Sequence, residues 1–268
     1  MALKANEQAK SRLGTVAGPV RRQLAWTMAL DTLSALSDVV SDVLVVTAQP
    51  ALQARLHSAG LRCTVVAEPP SAGMNGALSH GADLLKARRC HGVLACVADL
   101  PALRPDSVRR VLEAARDQPR SVVADASGVG TTMLLASDTA LEPHFQGPSA
   151  AAHRVSGAVA LSDDMLGGPV PDARRDVDTQ VDLAEAFRLG LGPATAALLD
   201  PGTGAPGHYD VITVTGQRTA VGDQVAITGG GHRITLPAAA VRGAVRHARS
   251  GQRLHAVTTR DRVLAAWL

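Results

Sequence analysis

Apolar and polar positions along this chain follow two alternating rhythms. Over 19–36, Val20, Leu24, Met28, Leu33 and Leu36 recur at helical spacing behind Pro19, a residue that the first turn of a helix tolerates. The runs V-L-V-V-T (43–47) and C-T-V-V-A (63–67) are short and aliphatic, as buried strands are, with a short helix at 50–58 between them. A loop at 68–73 leads into a helix reaching about Lys86. The run V-L-A-C-V-A at 93–98 is too short for a helix and lies between Gly92 and Pro101. It predicts a central strand of a parallel sheet, with Asp99 at its carboxyl end. Next come a helix at 105–116, a strand S-V-V-A-D, a glycine-rich loop at 127–132, the run M-L-L-A, a helix starting near Ser149 and another at 181–189. Strands alternating with helices predict a doubly wound, Rossmann-like α/β sheet flanked by helices.

The rhythm changes at 201. P-G-T-G-A-P-G reads as a flexible linker, and 209–215, 224–228 and 233–236 then alternate as short strands between glycine turns. A small C-terminal all-β extension of the OB or cold-shock type is expected. The division is a main α/β domain over 1–200, a linker over 201–208 and a β-rich domain over 209–268.

Composition narrows the function classes. With 268 residues, 46% of them hydrophobic, the chain can bury a sizeable core, and with only 2% aromatics that core is aliphatic. The same scarcity removes the stacking platform that a nucleic-acid surface uses, so no nucleic-acid partner is expected. The net charge of +3 suits a phosphate-rich small ligand and is too weak to argue for DNA or RNA. Cys63, Cys90 and Cys96 form no C-x-x-C pair and read as reduced core residues. No leader or membrane-length apolar run is present, so a soluble, cytoplasmic protein without a membrane partner is expected.

The candidate chemistry is carried by loops. The carboxyl edge of an open α/β sheet is where ligands bind, so Asp99 either holds a metal ion against a phosphate or caps the helix near Pro105. Lys4, Lys10 and Arg12 follow the short apolar start and suit a triphosphate, or form a solvated basic loop. Asn75 caps its helix or reads a ligand. The loop S-G-V-G-T-T presents N–H groups and hydroxyls to a phosphate or makes a plain turn. Ser149 starts a helix, as an anion site or a simple cap. In R-R-D-V-D-T-Q-V-D-L, Asp176 and Asp178 share one side of an extended segment; a divalent cation between them removes their repulsion. Capping of the next helix by Asp178 or Thr179 accounts for only one of the two acids.

Taken together, A-L-K-A-N-E-Q-A-K-S-R-L, M-A-L-D-T-L, A-D-L-P-A-L, G-V-G-T-T, F-Q-G-P-S-A-A-A-H and D-V-D-T-Q-V-D-L occur in the order found in the phospholactate/phosphoenolpyruvate guanylyltransferases, which the chain resembles over about 1–199. That family belongs to the nucleotidyltransferases and serves biosynthesis of the deazaflavin coenzyme F420. The resemblance implies transfer of GMP from GTP to phosphoenolpyruvate or 2-phospho-L-lactate with release of pyrophosphate, and Mg²⁺ as cofactor. By motif position it implies Asp99 and Asp176 as metal carboxylates and Asp178 as a supporting third. Lys10 and Arg12 hold the triphosphate and stabilise the leaving pyrophosphate. Thr131, Gln146 and Ser149 hold the acceptor phosphate, and Asn75 lies near the nucleotide. The resemblance leaves room for a homo-oligomer or for docking to a downstream deazaflavin-ligating transferase.

Three positions depart from the family pattern. The first strand is reduced to Met1-Ala2-Leu3, which a misassigned start codon explains and which otherwise removes hydrogen bonds of a central strand. Gln146 stands where the family has glycine, a change that a backbone contact tolerates at negative φ. Val129 replaces a threonine. The competing readings are a catalytically weakened nucleotide- or partner-binding relative and a nucleotidyltransferase for another phosphorylated acceptor. Enzymes of the latter kind carry a G-G-x-S-x-R loop, which this sequence lacks.

Overall fold

The computed structural model describes residues 1–3, 18–49, 51–199, 208–241, 248–258 and 262–267. The chain divides into two compact units. The first comprises Met1–Ala9 and Met28–Asp176 and the second Lys10–Thr27 and Val177–Leu268. Helix α1 (Gly18–Ser37) supplies residues to both.

In the first unit, β1 (Leu44–Thr47) and β2 (Thr64–Ala67) pair in parallel around α2 (Leu52–Ser58). After α3 (Gly73–Ala87), β3 (Gly92–Cys96) leads to α4 (Pro105–Ala115), β4 (Arg120–Ala124) and β5 (Thr131–Ser137). The unit continues through α5 (Ser149–Val155), the two-residue β6 (Val159–Ala160) and α6 (Pro171–Arg174). The four-stranded sheet runs in the order β3-β5-β4-β6. Only the β4–β6 pair is parallel there; β5 is antiparallel to both β3 and β4. The expected parallel placement of the 93–98 run is therefore corrected: β3 pairs antiparallel with β5 and, among the described residues, stands at the edge of its sheet. The reason lies in the connection, since the few residues between β4 and β5 allow a hairpin and are too short for a parallel crossover.

Successive side chains of these strands face opposite ways and build two aliphatic layers. Val93, Ala95, Val122, Leu134 and Ala136 pack with Leu78 of α3 and with Phe145. Cys96, Val123, Met133 and Leu135 pack with Val108 and Val111 of α4 and with Ala173 of α6. The three cysteines are free thiols; Cys96 is buried, and burial pushes its pKa up to about 12.

The short first segment forms part of this framework. Ala2 bridges Val46 in parallel, Leu3 N–H donates to the Val46 carbonyl at 2.9 Å, and Val46 N–H donates to that of Met1 at 2.9 Å. The Met1 ammonium is buried and donates to the Leu44 carbonyl at 2.8 Å. Burial lowers its pKa to about 6. Beside it opens a cleft of about 890 Å³ whose lining includes Leu44 of β1 and Val93 and Leu94 of β3.

In the second unit, α7 (Gln180–Leu189) and α8 (Pro193–Leu199) precede five strands. These are β7 (His208–Arg218), β8 (Gln224–Ile227), β9 (Arg233–Leu236), β10 (Arg253–Thr258) and β11 (Val263–Trp267). Their order is β11-β10-β7-β8-β9, all pairs antiparallel, and a parallel bridge from Thr235 to Arg262 joins β9 to the approach to β11. That circuit is the five-stranded, partly open Greek-key barrel of the OB type. Ile212, Val214, Ala226, Leu236, Leu254 and Ala256 fill it. The sequence reading finds three of its strands and misses β10 and β11. Of the expected 201–208 linker, residues 201–207 lie outside the described residues and His208 opens β7. Among the described residues, no helix is long and apolar enough to cross a membrane.

Candidate active site

Two half-buried carboxylates of the first unit, Asp99 and Asp176, stand on segments held by hydrogen bonds to Thr32, Thr132 and Asp172. Beyond β3, Val97 N–H still donates to the Thr132 carbonyl at 3.0 Å, and Leu100 N–H donates to the buried Thr32 Oγ1 at 3.1 Å. Leu100, Ala102 and Leu103 are all buried, so the Asp99 loop is anchored by its apolar neighbours. The reading of Asp99 as the cap of α4 is set aside. The acceptor at that helix end is the buried Asp172, which takes Arg104 N–H at 2.9 Å on Oδ2 and Ser107 Oγ–H at 2.8 Å on Oδ1.

Asp172 lies on α6, and α6 leads directly to Asp176. Thr132 Oγ1 donates to the Ala173 carbonyl at 2.7 Å, Ala126 N–H donates to the Arg174 carbonyl at 2.8 Å, and Arg174 Nη1 donates to the Ala124 carbonyl at 3.1 Å. Asp176 N–H returns to the Arg174 carbonyl at 3.2 Å. In the second unit, Asp178 N–H donates to Asp182 Oδ2 at 3.2 Å. Thr179 is the cap of α7, in a capping box with Asp182. Of the two candidates for that cap, Thr179 fills the role.

A second group of proposed site residues surrounds the start of β5. Asp125 Oδ1 accepts from Ser127 Oγ at 2.9 Å and from Val129 N–H at 3.0 Å, and Asp125 N–H reaches the Gly130 carbonyl at 3.0 Å. A Cβ at Gly130 would stand 2.5 Å from Asp125 Oδ2, so any side chain there displaces the carboxylate that closes this loop. Thr131 is buried, with Oγ1 3.0 Å from His153 Nδ1. His153 Nε2 accepts from His144 N–H at 2.8 Å, and Asn75 Oδ1 accepts from Phe145 N–H at 2.8 Å. Asn75 is therefore not the cap of α3, a position that Ala72 holds; its side chain fixes the loop before Gln146.

Gln146 is exposed and not at positive φ; the left-handed conformation falls on its neighbour Gly147 (φ 57°), so the glycine-to-glutamine departure carries no backbone strain. Gln146 N–H donates to the His144 carbonyl at 2.9 Å, and the N–H of the buried Ser149 donates to the Gly147 carbonyl at 2.8 Å. Thr131, Gln146, Ser149 and Asn75 are thus tied to one network through His153 and Phe145. Lys10 and Arg12 lie outside the described residues.

Two supporting residues escape the sequence reading. His153 sits one helical turn after Ser149 inside the quoted F-Q-G-P-S-A-A-A-H, a spacing that offered a signal. Asp172 offered none, its partners being 65 and 68 residues away. Among the described residues, no three His, Cys, Asp or Glu side chains are grouped to hold a metal ion.

The first unit thus sets Asp99 on the loop after β3 and Asp176 on the segment after α6, within an α/β framework of short strands flanked by helices. Residues 19–161 match the model of the MobA-like NTP transferase domain. The fold is similar to the crystal structure of a nucleotide-diphospho-sugar transferase from Desulfovibrio desulfuricans G20, at a TM-score of 0.56 and 17% identity over 75% of this chain and 92% of that one. Among curated relatives, the phosphoenolpyruvate guanylyltransferase of Salinispora arenicola is 48% identical over 74% of this chain and 90% of its own length. That of Streptomyces avermitilis is 47% identical over 75% and 94%. The chain belongs to the phosphoenolpyruvate guanylyltransferase family of nucleotidyltransferases. Nucleotidyltransferases generally work with a divalent metal ion.

Proposed function

We propose that the enzyme transfers GMP from GTP to the phosphate of phosphoenolpyruvate, releasing pyrophosphate, in the cytoplasmic biosynthesis of coenzyme F420. The observation that carries the reading is the tie that the Asp172 side chain makes between the segment after Asp99 and the segment before Asp176, in a chain whose relatives bear the name phosphoenolpyruvate guanylyltransferase. In the reaction an acceptor phosphate oxygen forms a bond to the α-phosphorus of GTP, and the bond from that phosphorus to the β-phosphate oxygen breaks. The obstacle is charge, because two anions must meet and a third must leave.

The donor set suits Mg²⁺. Asp99 and Asp176 offer hard carboxylate oxygens, and Mg²⁺ commonly takes one or two carboxylates and completes its shell with substrate phosphates and water. When bound, it would supply positive charge against the phosphates. Asp178, Lys10 and Arg12 join the proposal from their motifs alone, the first as a supporting carboxylate and the two cations as holders of the triphosphate. The hydroxyls of Thr131 and Ser149 and the loop at Gln146 would receive the acceptor, with Asn75 holding that loop.

The test is pyrophosphate release with GTP and Mg²⁺, phosphoenolpyruvate and 2-phospholactate being offered separately and the product weighed by mass spectrometry. Release with phosphoenolpyruvate and a guanylylated adduct is expected. Release with 2-phospholactate alone would change the acceptor, and silence with both would overturn the reading.

A further inference from the structure

His153 is fully buried, and its two ring nitrogens reach two different segments of the proposed acceptor site. On one side, Nε2 lies 2.8 Å from the backbone nitrogen of His144. An amide N–H only donates, so Nε2 is the acceptor and bears no proton. In the neutral imidazole the proton then sits on Nδ1, which lies 3.0 Å from Thr131 Oγ1. That N–H faces the Thr131 oxygen and the Ser149 carbonyl, so the threonine cannot donate to it and its own O–H is not spent on the ring.

Neutrality of the ring follows from its surroundings. Burial chiefly, then His144 and Arg120, lower the pKa to about 4 against an opposing contribution from the Ser149 carbonyl. The rings of Phe145 and His144, with centroids 5.0 Å and 5.7 Å away, close the pocket around it. A hydroxyl that already accepts from a fixed donor has one proton left to give. Its matching partner is an oxygen that only accepts, such as an ionised phosphate or carboxylate.

We infer that His153 is a positioning residue for the acceptor substrate: it commits Thr131 to donate to an anionic oxygen of the acceptor and fixes the loop that leads to Gln146. The inference rests on the reading that this group of residues receives the acceptor. It goes beyond that reading in assigning the task of orienting Thr131 to a residue that touches no substrate.

The test is a two-by-two set of the unsubstituted enzyme, His153→Gln, Thr131→Val and the double variant, with KM measured separately for the acceptor and for GTP. Gln keeps an acceptor for His144 N–H, but its NH2 group hangs from Cδ, one bond beyond the position of Nδ1, so the donor fixed against Thr131 is lost. His153→Gln is expected to raise the acceptor KM about tenfold, the worth of one hydrogen bond to a charged group, with the KM for GTP unchanged. Thr131→Val should do the same, Thr131→Ser should recover most of the loss, and the double variant should be no worse than Thr131→Val. Effects that multiply in the double variant, or a parallel rise in both KM values, would overturn the inference, as would an unchanged acceptor KM. Thr131→Val leaves His153 in place and alone decides the matter should His153→Gln not fold: an unchanged acceptor KM overturns the inference. An unsubstituted enzyme that transfers to no acceptor would instead remove the functional reading beneath it.

Discussion

The carboxylate of Asp172 accepts the backbone N–H of Arg104 at 2.9 Å across 68 residues of sequence, fastening the segment that leads to Asp176 to the one that follows Asp99. The same side chain accepts from Ser107 Oγ at 2.8 Å, so a single buried group satisfies two donors at the start of α4. Asp172→Ala leaves both donors without an acceptor and should cost about 3 kcal/mol, read as a lower urea midpoint. Asp172→Asn, which keeps one acceptor oxygen, should cost less. Equal stability of all three proteins would contradict the assignment.

The metal role of the carboxylates has a separate signature. Asp99→Asn and Asp176→Asn should each lower turnover about a thousandfold while circular dichroism and the melting temperature stay close to those of the parent. Retained activity in either variant would remove that residue from the proposed metal set.

Gly130 tests the loop before Thr131. Gly130→Ala drives a methyl group to within 2.5 Å of Asp125 Oδ2, a carboxylate already held by Ser127 and Val129 N–H. An overpacking cost of about 1–2 kcal/mol is expected, with a raised KM for the acceptor and little change for GTP. The second substitution Asp125→Ala should relieve the clash, so the double variant loses less than the sum of the single losses.

A buried base makes stability depend on pH. His153, lowered chiefly by burial to about 4 from 6.5, binds fewer protons folded than unfolded, so stability rises with pH between those values. The contribution is complete above the ordinary value and lost as pH falls through the folded one. Urea unfolding across pH should show this slope, and His153→Gln should remove it.

Much of this architecture is legible in the chain because its causes are local. The apolar stripe of α4, the β-branched runs of β1 and β2 and the Thr179 capping box all sit within a few residues of the groups they satisfy. The direction of pairing around β3 is not local, because an apolar run does not record whether its neighbour runs with it or against it. β10 escapes notice because its small Ala256 and its arginine and histidine blur the alternation that marks β7 to β9. In the site, the motif residues are readable as chemistry-bearing positions, while Asn75 passes for a cap because its partner, Phe145 N–H, lies 70 residues away. Asp172 stays hidden for the same reason.

The most direct test of the central claim follows the guanylyl group itself. The enzyme is incubated with Mg²⁺, phosphoenolpyruvate and GTP labelled at the α-phosphorus, and the products are separated. The account predicts that the label leaves GTP for a phosphoenolpyruvate adduct, in step with unlabelled pyrophosphate, and that Asp99→Asn abolishes the transfer. Label that stays in GTP, or appears only as free GMP whichever acceptor is offered, would contradict it.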